Sequence, residues 1–320
     1  QVDRQGANRT NITLRDRVDI FQTSALVMLD YRDLSQAGLN LFDSGNTNLS
    51  MIDLERVEVV RGPQAALYGA GVGSGVVHYM SKDPFKHEGS TLQLQGGAIA
   101  NSGSLLSGGN FNMKSVYFRH AVSNDDKTFG YKFNLRYSEN GTWDLSDSQK
   151  LSIFGASGSR TINDPLTGQS VGSSNQLSDI ESKGVDASLY YRPNNNFSFT
   201  AVAGMGSTIG NASTSGTGEV FGDQNNHFVQ FRVKSNDLFV QYNFTKNIPG
   251  NEGDEIGFNY RTGLVSYIES TQSQLQAQQE LSLDKLNTVA SLGFEHKLST
   301  FNSFTRTHGR NENNDDYRIY

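Results

Sequence analysis

The chain of 320 residues carries six histidines and no cysteine, so metal or acid–base chemistry would have to come from imidazole, carboxylate and hydroxyl groups. His78, His87, His120, His227, His296 and His308 are scattered, with no pair at the spacing that closes a metal site. No serine stands in a Gly-x-Ser-x-Gly elbow with partners for a relay, and Gly103-Ser-Leu-Leu-Ser-Gly108 does not fit that turn. Asn311, Glu312, Asn313, Asn314, Asp315 and Asp316 gather oxygens that could hold Ca²⁺ in principle. Without an EF-hand frame they read better as an acidic, solvated loop. These residues point to no enzyme, no cofactor and no metal centre.

A glycine-rich turn, Gly69 to Gly75, invites a phosphate-binding reading. The Walker loop closes on Gly-Lys-Ser/Thr, and the dinucleotide fingerprint runs into a helix with an acidic residue beyond it. This turn has no lysine, fits neither spacing and leads into β-branched residues. What must position it is a strand on either side. Val57, Val59 and Arg61 alternate with Glu58, Val60 and Gly62, which suits a strand with one dry face. Pro63 ends that strand because proline offers no ladder N–H. Glycines 69, 71, 73 and 75 let the chain reverse before an apolar second strand, Val76 to Met80.

Carboxylates outnumber lysines and arginines 33 to 27, for a formal charge of −6 and a pI near 5.5. No basic patch of the kind a nucleic-acid binder shows is visible. The longest uninterrupted apolar run is Ala25 to Leu29, far short of the ~18 residues of a membrane-spanning helix. A soluble β-protein and an outer-membrane barrel both remain, since barrel strands are too short and too alternating to register as apolar segments. Gln1 follows no initiator methionine or signal peptide, and Tyr320 falls in what looks like the start of a strand. The chain reads as a fragment.

From Ser90 onward amphipathic strands are expected at Ser90–Ala98, Asn110–Val122, Phe129–Gly141, Lys183–Arg192, Asn196–Ser207, Asn226–Lys234, Asp237–Asn247, Thr271–Leu281 and Leu286–Leu298, with a tenth near Tyr317. Their connections alternate long and short. The short ones, at 123–128, 193–195, 235–236 and 282–285, are built mostly of Asn, Asp, Ser and Pro, as hairpins require. The long ones, at 99–109, 142–182, 208–225, 248–270 and 299–316, are mostly rich in Gly, Ser, Asn and Thr. That parity puts short turns at one end of an up-and-down sheet and long loops at the other, as in membrane barrels and unlike a Greek-key sandwich. Residues 256–268 are apolar enough to form a strand of their own, which would shift the parity there.

Within strands the period is two. Tyr131, Phe133, Leu135 and Tyr137 share one face and Lys132, Asn134, Arg136 and Ser138 the other. Val185, Ala187, Leu189 and Tyr191 oppose Asp186, Ser188 and Arg192, and Leu238, Val240, Tyr242 and Phe244 oppose Gln241, Asn243 and Thr245. A small soluble barrel would turn the apolar face inward and a large membrane barrel would turn it outward, so periodicity alone does not choose. Bulky charges on the polar faces favour the second arrangement. So do Tyr137, Tyr191, Phe197 and Phe244 near strand ends, where an aromatic girdle would sit.

The run from Ile52-Asp-Leu-Glu-Arg-Val-Glu-Val-Val-Arg-Gly-Pro to Leu67-Tyr-Gly69, followed by a strand ending at Ser81-Lys82, resembles the plug domain of TonB-dependent outer-membrane receptors. Its signature positions here are Glu55, Arg56, Gly62, Pro63, Tyr68, Gly69 and Gly75. Ala25-Leu-Val-Met-Leu-Asp30 resembles the plug strand written Val-Tyr-Val-Asp-Gly, with Tyr31 where glycine is usual, and Asp30 reads as a turn residue rather than a ligand contact. The resemblance is specific over residues 12–85 and architectural beyond. It implies a mostly β chain: the C-terminal part of an α/β plug at residues 1–88, then the first half of a transmembrane antiparallel barrel of about 22 strands at 89–320.

The function implied is active uptake of a scarce ligand across the outer membrane of a Gram-negative bacterium. A ferric siderophore or related chelate is the expectation, and cobalamin, haem or oligosaccharide would use the same scaffold; no ligand-binding residue is named. A passive porin lacks the plug, and a soluble glycan-binding β-protein lacks the loop parity. Implied partners are TonB, outer-membrane lipid and the small-molecule ligand, with no nucleic acid. The TonB box that TonB grasps precedes the plug and is not among these residues. Two plug arginines that face acidic groups on the wall match Arg15 and Arg61 by motif position, although Asp16 stands where glycine usually follows the first. A guanidinium suits such a latch because it pairs bidentately with carboxylate.

Overall fold

The structure is a computed structural model, described for residues 2–4, 10–12, 14, 25–36, 41–42, 45, 47–64, 68, 72–97, 113–141, 146–164, 168–174, 179–212, 219–250, 257–265, 268–283, 287–303 and 312–319. Its N-terminal part holds eight strands: β1 (Val2–Arg4), β2 (Thr10–Ile12), β3 (Ala25–Leu29), β4 (Arg32–Asp33), β5 (Ser35–Gln36), β6 (Leu41–Phe42), β7 (Leu54–Arg61) and β8 (Gly75–Ser81). A four-stranded sheet in the order β4-β3-β8-β7 organises it, with β3 parallel to β8 and the other neighbours antiparallel.

The central pair explains why Ala25–Leu29, and Val76–Met80 apart from His78, are apolar rather than alternating, since both faces of that pair are covered. On one side Leu14, Ala25 and Val77 pack together with Ile12 and Tyr79. On the other, Met28, Val72 and Val76 pack with Leu26, Val60 and Tyr68. The dry face expected of β7 is not found: as the edge strand it leaves Val57 and Val59 exposed and turns only Val60 toward the core.

The remainder is a wall of ten antiparallel strands joined in sequence order, each sequence-expected strand having its counterpart. They are β9 (Gly89–Gly97), β10 (Met113–Ser123), β11 (Phe129–Gly141), β14 (Asp179–Asn194), β15 (Phe197–Ala212), β16 (Glu219–Ser235), β17 (Leu238–Pro249), β20 (Ile268–Leu283), β21 (Thr288–Ser303) and β22 (Glu312–Ile319). Several outrun expectation at their long-loop ends. Asp315 and Asp316 fall in β22, whose side chains lie outside the described residues.

Side chains on the wall are inverted relative to a soluble barrel. Phe129, Tyr131 and Leu135 of β11, Leu189 and Tyr191 of β14 and Phe231 of β16 point outward and are exposed, as are Leu92 and Leu94 of β9 at 62% and 68%. Lys132, Asn134, Arg136, Asp186, Ser188, Gln230 and Gln241 point inward and are buried against the N-terminal part. Greasy residues outside and wet ones inside a meander are the signature of a membrane barrel wall. Among the described residues no helix is long and apolar enough to cross a membrane, which says nothing about crossing by strands.

Between wall strands the long connections build an annex: α1 (Asp147–Phe154), β12 (Arg160–Asn163), β13 (Ser170–Ser174), β18 (Phe258–Asn259) and β19 (Leu264–Val265). Ser146 and Gln149 form a capping box at the start of α1, and Gly155 closes it in the left-handed conformation. Of residues 256–268, the described apolar side chains at 258–265 serve this annex, whereas Ile268 opens β20 of the wall. Phe258, Tyr260 and Val265 join Phe154, Ala156 and Ile162 in a separate core. Since β17 pairs directly with β20, the alternation of long and short connections survives.

Candidate functional site

The chemistry-bearing groups that the fold gathers lie where the N-terminal sheet meets the inner wall. A single 3₁₀ turn, Met51–Asp53, ends immediately before β7 and aims the Asp53 carboxylate outward. Its Oδ1 accepts from Arg119 Nε at 2.7 Å, and its Oδ2 pairs with Lys132 Nζ at 2.8 Å and accepts from Asn134 Nδ2 at 3.0 Å. Asn134 also donates to Asp186 Oδ2 at 2.9 Å. All of these side chains are buried, Arg119 and Lys132 to 3% and 2% exposure. Charges so far from water persist only where each finds counter-charge and hydrogen-bond partners.

Lys132 meets that demand in full. Besides Asp53 it donates to Ser81 Oγ at 2.8 Å and to the Lys82 carbonyl at 3.1 Å, using the three donors of an ammonium. Ser81 Oγ in turn donates to Asp30 Oδ2 at 2.5 Å, while the Ser81 N–H donates to Oδ1. One network therefore links β10 and β11 to the ends of β3 and β8.

The β3–β4 turn is the second point of attachment. Asp30 and Tyr31 both take positive φ, 47° and 70°, the pattern of a two-residue hairpin turn that favours Asn, Asp and Gly. A tyrosine held there needs compensation, and the wall supplies it. Gln230 Nε2 and a terminal nitrogen of Arg232 donate to the Asp30 carbonyl at 2.7 and 2.9 Å, and Gln241 Nε2 donates to the Tyr31 carbonyl at 2.9 Å. The Tyr31 ring lies 5.3 Å from the Arg232 guanidinium, 5.5 Å from Lys234 Nζ and 5.5 Å from the Phe239 ring.

Below that ring, His78 of β8 accepts the Tyr31 N–H on Nε2 at 3.0 Å and meets its ring edge-on at 4.6 Å. Burial pushes the His78 imidazole below its ordinary value near 6.5, Asp30 and Glu58 opposing the shift and Arg232 and Arg56 adding to it. The folded state thus binds fewer protons than the unfolded one. Above about pH 6.5 both states are neutral and nothing is lost; as pH falls below that value the N-terminal sheet is destabilised until the folded group also protonates. In a His78→Gln variant of the full-length protein, protease resistance of this sheet is expected to lose that acid sensitivity. Unchanged acid sensitivity would remove His78 as its source.

Further contacts complete the seat. Asn48 Nδ2 donates to the carbonyls of Val185 and Met205, both at 2.8 Å, lying so close to Gly184 that a side chain there would collide with Asn48 Oδ1. Asp83 pairs with Arg192 at 2.7 Å and Asp33 with Lys297 at 3.2 Å. Arg32 stacks 3.7 Å over Phe228, its pKa lowered to about 10 by burial despite Asp186, Asp30 and Asp33 nearby.

Of the residues singled out by sequence, those that the structure describes lie elsewhere. Arg15 and Gly69 are outside the described residues. Arg61, last in β7, is exposed and has no ion-pair partner among the described residues. Glu55 is exposed, and Arg56 pairs with Glu58 at 2.7 Å across half-exposed side chains. Gly62, at φ +100°, donates its N–H to the Ser74 carbonyl, Pro63 is exposed, Tyr68 packs on the inner cluster and Gly75 crosses closely behind β7. These residues shape the β7–β8 connection, whereas the attachment to the wall falls to Asp30, Tyr31, Asp33, Asn48, Asp53 and Asp83. Among the described residues the ion pairs across that boundary run one way, with the carboxylate on the N-terminal side and the base on the wall.

Residues 1–76 match the family profile described as the TonB-dependent receptor plug domain. Among solved structures, the siderophore receptor PirA from Pseudomonas aeruginosa superposes with a TM-score of 0.58 at 14% identity, over 93% of this chain and 44% of its own. The copper transporter OprC gives 0.61 at 12% identity, over 100% and 46%. PirA from Acinetobacter baumannii gives 0.57 at 15%, over 94% and 44%. At such identities the likeness is one of fold, and the chain spans a little under half the length of these structures.

Proposed function

We propose that the chain belongs to the TonB-dependent receptors of Gram-negative outer membranes, whose plug profile residues 1–76 match and whose fold it shares, and that it is the plug and first wall strands of a receptor that takes up a scarce small-molecule ligand, a ferric siderophore or related chelate, with TonB supplying the pull. Such a protein transports and is not an enzyme. The observation that carries the reading is a folded domain seated by buried ion pairs against the polar, inward face of a wall whose outward face is apolar. A passive porin would have no use for that seat. The same reading divides the chain into plug at 1–88 and wall at 89–320, gives Arg15 and Arg61 a latching role toward the wall, and makes outer-membrane lipid the partner of the apolar face. That PirA is named a siderophore receptor and OprC a copper transporter supports metal acquisition in general terms.

The test is uptake of radiolabelled candidates, each carrying its own label, by cells that carry or lack the full-length receptor: iron-labelled ferric chelates and haem, cobalt-labelled cobalamin and carbon-labelled oligosaccharides in parallel. Receptor-dependent accumulation is expected, and it should vanish with a protonophore or in cells without TonB. Accumulation that persists without the proton gradient would leave a passive channel instead.

A further inference from the structure

The annex is built from two connections that lie far apart in the chain, one between β11 and β14 and the other between β17 and β20. Its core divides evenly between them: Phe154, Ala156 and Ile162 come from the first, and Phe258, Tyr260 and Val265 from the second. We infer that the two connections work as one body, a strap joining the long-loop ends of β11 and β14 to those of β16, β17 and β20, so that neither opens without the other. Nothing in this coupling depends on the cargo or on TonB.

Neither half could hold its shape alone. The eight residues of α1 fall short of the about 12–15 that an isolated helix needs in water, and the pairs β12–β13 and β18–β19 are two-stranded ladders, marginal without a packed face. Together they leave Phe154 and Phe258 at 1% exposure and Tyr260 at 0%. The Phe154 ring meets the Tyr260 ring edge-on at 5.8 Å, so the largest side chains of each connection are buried by the other.

Polar contacts cross the same seam. β12 runs parallel to β19 with Asn163 opposite Leu264, and the Asn163 N–H donates to the Gly263 carbonyl at 2.8 Å. Arg160 donates through Nε to the Tyr260 carbonyl at 3.1 Å and through a terminal nitrogen to the Arg261 carbonyl at 3.0 Å. The Tyr260 hydroxyl donates back to the Gly158 carbonyl. A planar guanidinium fork engaged on two successive carbonyls makes a fixed joint rather than a sliding contact. The strap meets the wall through β18, which pairs with β16 at Glu219 and Val220, beyond Gln224 where the β16–β17 ladder stops. Phe258 therefore belongs to the wall ladder and to the strap core at once. A displacement of either connection is passed to the other through packed rings, and to β16 through that residue.

The coupling can be read from single spin labels in the full-length protein in detergent, one on Ser152→Cys in the first connection and one on Arg261→Cys in the second, both exposed positions. As urea rises, the two labels should gain mobility at one shared midpoint, below the concentration at which the barrel unfolds. Gly263→Ala should then lower both midpoints together. Gly263 has φ +69°, and a Cβ there would lie 2.5 Å from the Thr161 carbonyl oxygen of the other connection. Gly168→Ala is the control, with φ +70° and nothing within 4 Å of the added Cβ, and it should shift the midpoints far less. Separate midpoints for the two labels, a Gly263→Ala shift confined to the Arg261 label, or an equal effect of Gly168→Ala would overturn the coupling.

Discussion

Replacing Asp53 with alanine is expected to unseat the plug and make cells carrying the full-length receptor sensitive to large antibiotics that the outer membrane excludes. The substitution leaves Arg119 and Lys132 buried at 3% and 2% exposure without the carboxylate that both share. Removing one partner from a buried ion pair costs about 3–5 kcal/mol, largely because of the charge left behind. At about 1.4 kcal/mol per tenfold, the seated fraction should fall relative to the unseated by a factor of roughly one hundred to a few thousand. Asp53→Asn should fall between the two, since an amide still accepts hydrogen bonds but brings no charge.

The direction of repair separates an electrostatic seat from a merely packed one. Converting Asp53, Arg119 and Lys132 together to Leu, Leu and Met removes the orphaned charges, and well-packed apolar replacements of buried ion clusters are often neutral. Antibiotic exclusion should return in the triple variant. Asp53→Ala with unchanged exclusion and unchanged protease resistance of the plug would mean that Asp53 does not hold it.

Legibility in the sequence followed the range of the interactions. Wall strands were readable because alternation is local: Tyr131 and Lys132 mark an apolar and a polar face without reference to any other strand, although which face turns inward took the bulky charges and the strand-end aromatics to decide. The β7–β8 reversal was readable for the same local reason. The seat was not. Asp53 has no local feature that distinguishes it from Glu55, and its partners stand 66 residues away at Arg119 and further on at Lys132 and Asn134. The grip on Tyr31 by Gln230, Arg232 and Gln241 spans about 200 residues, and nothing near Tyr31 announces it beyond a bulky residue at a turn position where glycine is usual. The resemblance pointed to arginines on the plug, whereas the described ion pairs use plug carboxylates. Which side bears which sign is free to exchange, since the attraction is the same either way.

Gly75→Ala should detach β7 from the plug sheet while leaving the wall folded. Gly75 has φ +145°, and a Cβ there would strike the Val60 carbonyl oxygen and lie 2.8 Å from Leu14 Cδ1 and 3.3 Å from Arg61 Cα. Backbone strain at such a φ costs about 1–3 kcal/mol, and crowding a packed site adds about 1–3 kcal/mol. The obstructing atoms are mostly backbone of the partner strand, so they cannot rotate aside. As the edge strand β7 has only β8 to hold it, and it follows Asp53 directly, so displacing it also pulls on the seat. Gly62→Ala is the control: φ is +100° there, but nothing lies within 4 Å of the added Cβ, leaving strain alone. Limited proteolysis of the two full-length variants should therefore cut near β7 much faster in Gly75→Ala than in Gly62→Ala, with the heat-modifiable mobility of the barrel kept in both. Equal cutting rates would show that backbone conformation rather than the close approach of β7 makes glycine necessary at position 75.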